Sequence, residues 1–239
     1  MSNFSSINFD FGIDDPSQLD ITSCFLDTNV IIAFLYQNDE RHLACYNFIS
    51  YLIHNDIEMY ISEITISEVI NSYARILFID HELEEYKMAH GSLPSSPREL
   101  RGLKSRFKSY WSGHVIKNDH DKLAMFNRLA AEAFAPFNSI CYLISSSEPI
   151  TEKGLELCVE VPLASSDAMI AASAIMSGAT ALVSLDKDLQ IQDYISIFST
   201  GVKNNDYDCE AMIELLELES FLIETLGEVE FSAKFNLAS

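Results

Sequence analysis

The chain predicts an α/β fold around a mostly parallel central sheet. Short apolar runs at 21–26, 58–61, 155–161, 180–184 and 195–198 are too short for helices and suit buried strands. Between several of them, apolar residues recur at helical spacing. With 8 Gly and 6 Pro in 239 residues, neither loops nor disorder dominate.

The elements follow in order. Residues 1–20 are polar and acidic and read as a loose leader, without the basic-then-apolar order of a secretory signal. A strand at 21–26 feeds a helix at 29–36, and a second helix covers 42–54. After the strand at 58–61, Val69, Ile70, Tyr73, Ala74, Leu77 and Phe78 form one face of a helix, with Ser67, Glu68, Asn71, Ser72 and Arg75 opposite. The pattern breaks over 80–122, where Gly91, Pro94 and Pro97 mark a loop. A helix at 123–134 ends before Pro136, and a strand is expected at 155–161. An Ala-rich helix at 166–176 is closed by Gly178 and followed by the last two strands. The division expected is a leader (1–20), an α/β domain (21–200) with a basic, largely helical insert at about 80–150, and an acidic tail (201–239).

Composition bounds the setting. With 48% hydrophobic residues the chain can bury a sizeable core, and no apolar run is long enough to cross a bilayer. The five cysteines are scattered, odd in number and never at Cys-x-x-Cys spacing, which implies a reduced cytoplasmic protein and argues against zinc. The net charge of −21 runs against nucleic-acid binding, but it is unevenly spread. Between Arg98 and Arg128 eight bases face three acids. From Asn204 to Ala233 there is no Lys or Arg and there are nine acids.

Four acids follow apolar runs or open helices: Asp27, Glu68, Asp167 and Asp186. Each has an ordinary role. Asp27 and Asp167 suit helix N-termini, Thr65 and Glu68 have capping-box spacing, and Asp186 suits a turn that it shares with Asp188. Jointly they say more. The carboxyl ends of parallel strands line the ligand crevice, and acids repeated there would crowd like charges unless a cation compensates. Hard oxygen donors of this kind suit Mg²⁺ or Mn²⁺.

The four blocks Phe25-Leu26-Asp27-Thr28-Asn29, Ile66-Ser67-Glu68-Val69, Ser166-Asp167-Ala168-Met169 and Ser184-Leu185-Asp186-Lys187-Asp188 resemble, in order, the PIN-domain family. The resemblance implies a three-layer α/β/α fold and an Mg²⁺- or Mn²⁺-dependent ribonuclease acting on single-stranded RNA. It further implies that Asp27, Glu68, Asp167 and Asp186 form the metal site, supported by Thr28, Asn29 and Ser184. Many small bacterial members are toxins held by an antitoxin protein, and they commonly form homodimers. The stretch between Glu68 and Asp167 is longer than in compact toxins, and Ser184 stands where Thr is more usual.

The basic insert offers a surface for RNA through Arg101, Lys104, Arg106 and Lys108, with Tyr110 or Trp111 available to stack on bases. The ordinary alternative is a solvated helix face with its aromatics in the core. The acidic tail is expected to hold a helix at about 210–226, packed through Leu215, Leu218 and Leu222, or else to fold back on the basic insert. The rival function is a PIN-like scaffold that binds RNA or protein without cutting. A phosphatase with an aspartyl nucleophile fits poorly, because Asp27 does not open an Asp-x-Asp pair.

Overall fold

The computed structural model describes residues 7–8, 21–161, 163–186 and 197–199. The chain divides into two compact units, one of residues 1–67 with 135–239 and the other of residues 68–134.

The first unit is built on a six-stranded sheet of order β1-β6-β5-β2-β3-β4. Its strands are β1 (Ile7–Asn8), β2 (Ser23–Leu26), β3 (Glu58–Ser62), β4 (Cys141–Ile144), β5 (Ala181–Val183) and β6 (Ile197–Ser199), and every pairing is parallel. β2 is central and all four of its residues are buried, as a strand covered on both faces requires. Registers Cys24↔Met59 and Cys24↔Ala181 bring the ends of β2, β3 and β5 to one edge.

The helices of this unit are α1 (Thr28–Leu35), α2 (His42–His54), the start of α3 (Glu63–His90), α7 (Phe137–Ile140), α8 (Glu148–Glu160) and α9 (Ser165–Ser177). α8 and α9 cover one face of the sheet. Ile150 and Leu157 from α8, and Ala168, Ile170, Ala171, Ala172 and Ala174 from α9, pack with Phe25 and Leu182. The run of alanines lets α9 lie close to the strands. Alternation along the strands turns Cys24, Leu26, Met59 and Ile61 to the opposite face, which α1 and α2 close. Phe34 of α1 stacks on Tyr46 of α2 at 5.3 Å and meets Phe137 edge-on at 5.4 Å. The three-layer α/β/α arrangement is as expected.

β1 lies in the stretch 1–20 expected as a loose leader, and two further elements differ from expectation. Residues 155–161 are not a strand but the end of α8 and the residues after it. Leu155, Leu157 and Val159 alternate with polar residues, which mimics a strand. The buried residues are Ile150, Gly154 and Leu157, spaced by four and three as on a helix, while Leu155 and Val159 are 63% and 86% exposed. The strand lies upstream instead, as β4, an edge strand with Tyr142 and Leu143 exposed. The second difference is α3, which continues to His90 beyond the expected break at residue 80. Its later turns are mostly exposed and so lose the apolar pattern, and Gly91 ends it at φ +80°.

The second unit is helical: α3 from Glu68, α4 (Pro97–Ser112), α5 (His114–Lys117) and α6 (His120–Phe134). Phe78 is its centre, 5.5 Å from the ring of Trp111 and 5.6 Å edge-on from Phe126. Lys122 bonds Glu82 and lies over the Phe78 ring. Trp111 is therefore a core residue at 7% exposure, not a platform for bases. The expected tail at 201–239 and its helix lie outside the described residues.

Candidate metal centre at the carboxyl edge of the sheet

Asp27 follows the last residue of β2. Its N–H donates to the Val183 carbonyl at 3.0 Å, which extends the ladder with β5 by one residue. Its backbone is extended (φ −78°, ψ 155°), and it is the N-cap of α1. Its side chain is 4% exposed. Oδ1 accepts the Thr28 N–H at 2.7 Å and Oδ2 accepts the Ser184 hydroxyl at 2.6 Å. The capping role expected of Asp27 is thus borne out.

Ser184 is fully buried and ties the end of β5 to α1. Its Oγ also accepts from Asn29 Nδ2 at 3.3 Å and from the Asp186 N–H at 2.9 Å. Asn29 Oδ1 accepts the Leu185 N–H at 2.9 Å. Asn29 therefore grips both ends of the Ser184–Leu185 step, and Ser184 fixes one oxygen of Asp27. A buried carboxylate is tolerated when such donors surround it, and hydrogen bonds to a charged group are the stronger kind.

The other acids stand differently. Asp186 is half-buried, and its backbone belongs to the Ser184 network. Asp167 is half-buried in the first turn of α9, but the N-cap is Ala164, so capping is not its role. α9 returns to β5 through Gly178 at φ +76°, which puts its N-terminus at the carboxyl edge of the sheet. There an acid is favoured by the helix dipole. Glu68 lies on α3 at the first residue of the second unit. Its capping-box role is overturned: the Thr65 N–H donates to Ser62 Oγ at 3.1 Å and the two hydroxyls are 3.0 Å apart, so Ser62 and Thr65 close that turn between themselves. Asp188 lies outside the described residues.

Asp27, Ser184, Asn29 and the Asp186 backbone are thus brought into one bonded group. Among the described residues, no three His, Cys, Asp or Glu side chains are grouped to hold a metal ion. The donor chemistry still fits Mg²⁺ or Mn²⁺ in kind. Asp27, Asp167 and Asp186 offer hard oxygens, Mg²⁺ needs only one or two carboxylates besides water and phosphate, and each carboxylate oxygen has a second lone pair.

One acid escaped the sequence reading. Glu63 follows β3 as Asp27 follows β2, and that parallel was the available signal. It is exposed, and its Oε2 accepts the Ser146 N–H at 3.3 Å. Hydrogen bonds from Ser146 hold its carboxyl below the ordinary value.

Comparison with known families bears directly on this edge. The model of the PIN domain matches residues 24–110. The resemblance to the PIN-domain family is borne out. The PIN-domain match takes in Asp27, Thr28, Asn29 and Glu68, and it ends before Asp167, Ser184 and Asp186. No curated protein matches the chain. Among solved structures, the crystal structure of VapBC2 from Rickettsia felis bound to a DNA fragment from their promoter is similar at 15% identity, over 73% of this chain and 96% of that chain, with a TM-score of 0.40. No described helix is long and apolar enough to cross a membrane.

Proposed function

We propose that the chain is a divalent-metal-dependent endoribonuclease that hydrolyses phosphodiester bonds in single-stranded RNA. The observation that carries this reading is the buried Asp27 carboxylate, bonded by Thr28 and Ser184 where β2 and β5 end. The PIN-domain match over that segment supports it.

In this reading Asp27, Asp167 and Asp186, with Glu68, would hold Mg²⁺ or Mn²⁺. When bound, the ion supplies Lewis acidity at the phosphate and makes water a better nucleophile near neutral pH. The chain's own residues do the positioning. Ser184 and Thr28 fix the direction of the Asp27 carboxylate. Asn29 holds the Asp186 turn against it through Leu185. One of the remaining carboxylates accepts the proton of the attacking water as the water oxygen bonds to phosphorus. The bond from phosphorus to the leaving 3′-oxygen breaks and that oxygen takes a proton from solvent, giving 5′-phosphate and 3′-hydroxyl ends. An antitoxin protein as inhibitor, a homodimer and a cytoplasmic setting belong to the same proposal, through the family resemblance. All four described cysteines are free, as a reducing compartment requires.

The test is cleavage of a single-stranded oligoribonucleotide with Mn²⁺ by the intact chain and by its Asp27→Asn and Asp167→Asn variants. Each variant is expected to lose about 100-fold or more in rate. Undiminished cleavage by Asp27→Asn would overturn the assignment. A second reading, a PIN-like scaffold that binds without cutting, is favoured by the lack of a three-group metal cluster among the described residues. Metal uptake in a calorimetric titration, with no RNA cut, would decide for it.

A further inference from the structure

The second unit carries a surface that the hydrolytic chemistry does not use. On α4, Leu103, Phe107 and Trp111 are buried four residues apart and anchor the helix. Arg98, Arg101, Lys104, Arg106 and Lys108 are all exposed. The chain has 15 Lys and Arg in all, so one third of its positive charge stands on this one helix, opposed within it by Glu99 alone. Among the described residues, no ion pair holds any of the five. Arg106 lies over the Phe107 ring at 5.7 Å. Arg101, Lys104 and Lys108 follow one flank of the helix over about 10 Å, and Arg98, Gly102 and Arg106 follow the other.

Beside that second row is a recess of about 340 Å³, lined by Tyr86, Pro94, Glu99, Gly102, Leu103 and Arg106. Gly102 leaves its wall open, since a Cβ there would meet nothing within 4 Å. The recess offers an aromatic ring, apolar walls, one carboxylate acceptor and the Arg106 guanidinium. Glu99 offsets the charge of Arg106 there, so the recess itself does not select a phosphate. A nucleobase, flat and bearing N–H donors, suits it.

We propose that the cationic face of α4 and this recess hold single-stranded RNA, with phosphates on the cations and one unstacked base in the recess. The proposal rests on the ribonuclease reading and names the surface that holds its substrate. Charge complementarity selects a polyanion, because cations left unpaired in a chain of net charge −21 are the groups able to overcome its general repulsion. The recess favours a single strand, because a base paired in a duplex must first lose its pairing and stacking to enter.

The experiment is binding of a fluorescent oligoribonucleotide to the intact chain in EDTA, so that cleavage does not intervene, from 50 to 200 mM salt. Circular dichroism checks the fold of each variant. The triple variant Arg101→Glu, Lys104→Glu, Lys108→Glu is expected to flatten the slope of log affinity against log salt by about 2, at about 0.7 for each phosphate no longer neutralised. Gly102→Leu fills the recess and is expected to weaken single-strand binding about 5- to 150-fold, at about 1–3 kcal/mol per stacked base. The same variant should leave binding of a duplex of that sequence unchanged. An unchanged salt slope in the triple variant overturns the proposal, as does undiminished single-strand binding by Gly102→Leu. Equal affinity for a polyglutamate peptide overturns it in favour of an acidic protein partner. Failure of this surface and failure of the ribonuclease reading are separable. RNA cut with Mn²⁺ but bound with an unchanged slope rejects only the surface. A flattened slope without any cleavage rejects only the nuclease.

Discussion

Ser184 is a small side chain with three tasks: it donates to Asp27 and accepts from Asn29 and from the Asp186 N–H. Replacing it by Ala leaves a buried carboxylate oxygen short of a donor and two N–H groups short of an acceptor. Ser184→Ala is expected to destabilise the chain by about 1–3 kcal/mol and to slow cleavage with it, both read from urea melts and rate assays. A variant as stable as the parent would show that the network does not bear on folding. The thiols give a second expectation at this scale. Burial pushes the Cys45 thiol up to about 12, and burial with a contribution from Cys141 pushes Cys24 up further. Ordinary thiols ionise near about 8.5, so above that pH the unfolded chain binds fewer protons than the folded one. Stability contributed by these thiols is thus complete below about pH 8.5 and falls as pH rises toward 12, by about 1.4 kcal/mol per unit for each group. Urea midpoints from pH 8 to 10 measure it, and a flat profile would contradict it. From sequence, Asp27 was legible as a strand-end acid and as a cap. Its union with Ser184 was not legible from spacing, because the bond spans 157 residues and depends on the β2–β5 register.

At the scale of elements, α8 and α9 meet without a side chain at Gly154. A Cβ there would stand 2.3 Å from Met169 Sδ and 3.6 Å from Met169 Cα. Gly154→Ala gains helix propensity of about 1 kcal/mol, but the flexible end of the Met169 side chain must turn aside, which offsets part of that gain. The expected net result is a smaller rise in melting temperature than an unobstructed Gly→Ala change gives. Gly102→Ala is the matched control, because its Cβ meets open space and should raise stability by about 0.5–1 kcal/mol. Equal effects at the two glycines would remove the packing argument. Most helices of the first unit were readable because each buries one face. α2 starts and ends at the expected residues. α8 was misread because the exposed Leu155 and Val159 made a false alternation, and β4 was missed because an edge strand with Tyr142 and Leu143 exposed carries no inward pattern. Trp111 was misplaced because an aromatic among cations looks available, while its spacing from Leu103 and Phe107 marks the buried stripe of α4.

For the molecule as a whole, the parallel sheet sets the order of events. Apart from β5 with β6, the described pairings join strands more than 30 residues apart, and β2 sits between β3 and β5. A chain ending at residue 180 would lack β5, Ser184 and Asp186, and is expected to show no cleavage and no cooperative melting of its first unit. Activity equal to that of the intact chain would place the chemistry elsewhere. The PIN-domain match ends at residue 110, so Asp167, Ser184 and Asp186 rest on the resemblance of their own short sequence blocks and, for Ser184, on the β2–β5 register.

The Asp27–Ser184 bond also has a meaning in time. The two residues leave the ribosome 157 residues apart. At about 5–20 residues per second, Asp27 waits about 8–30 s for its partner. Through that interval Asp27 lacks the hydroxyl that fixes its Oδ2. A carboxylate whose direction is set by a late strand takes that direction only after most of the chain has been made.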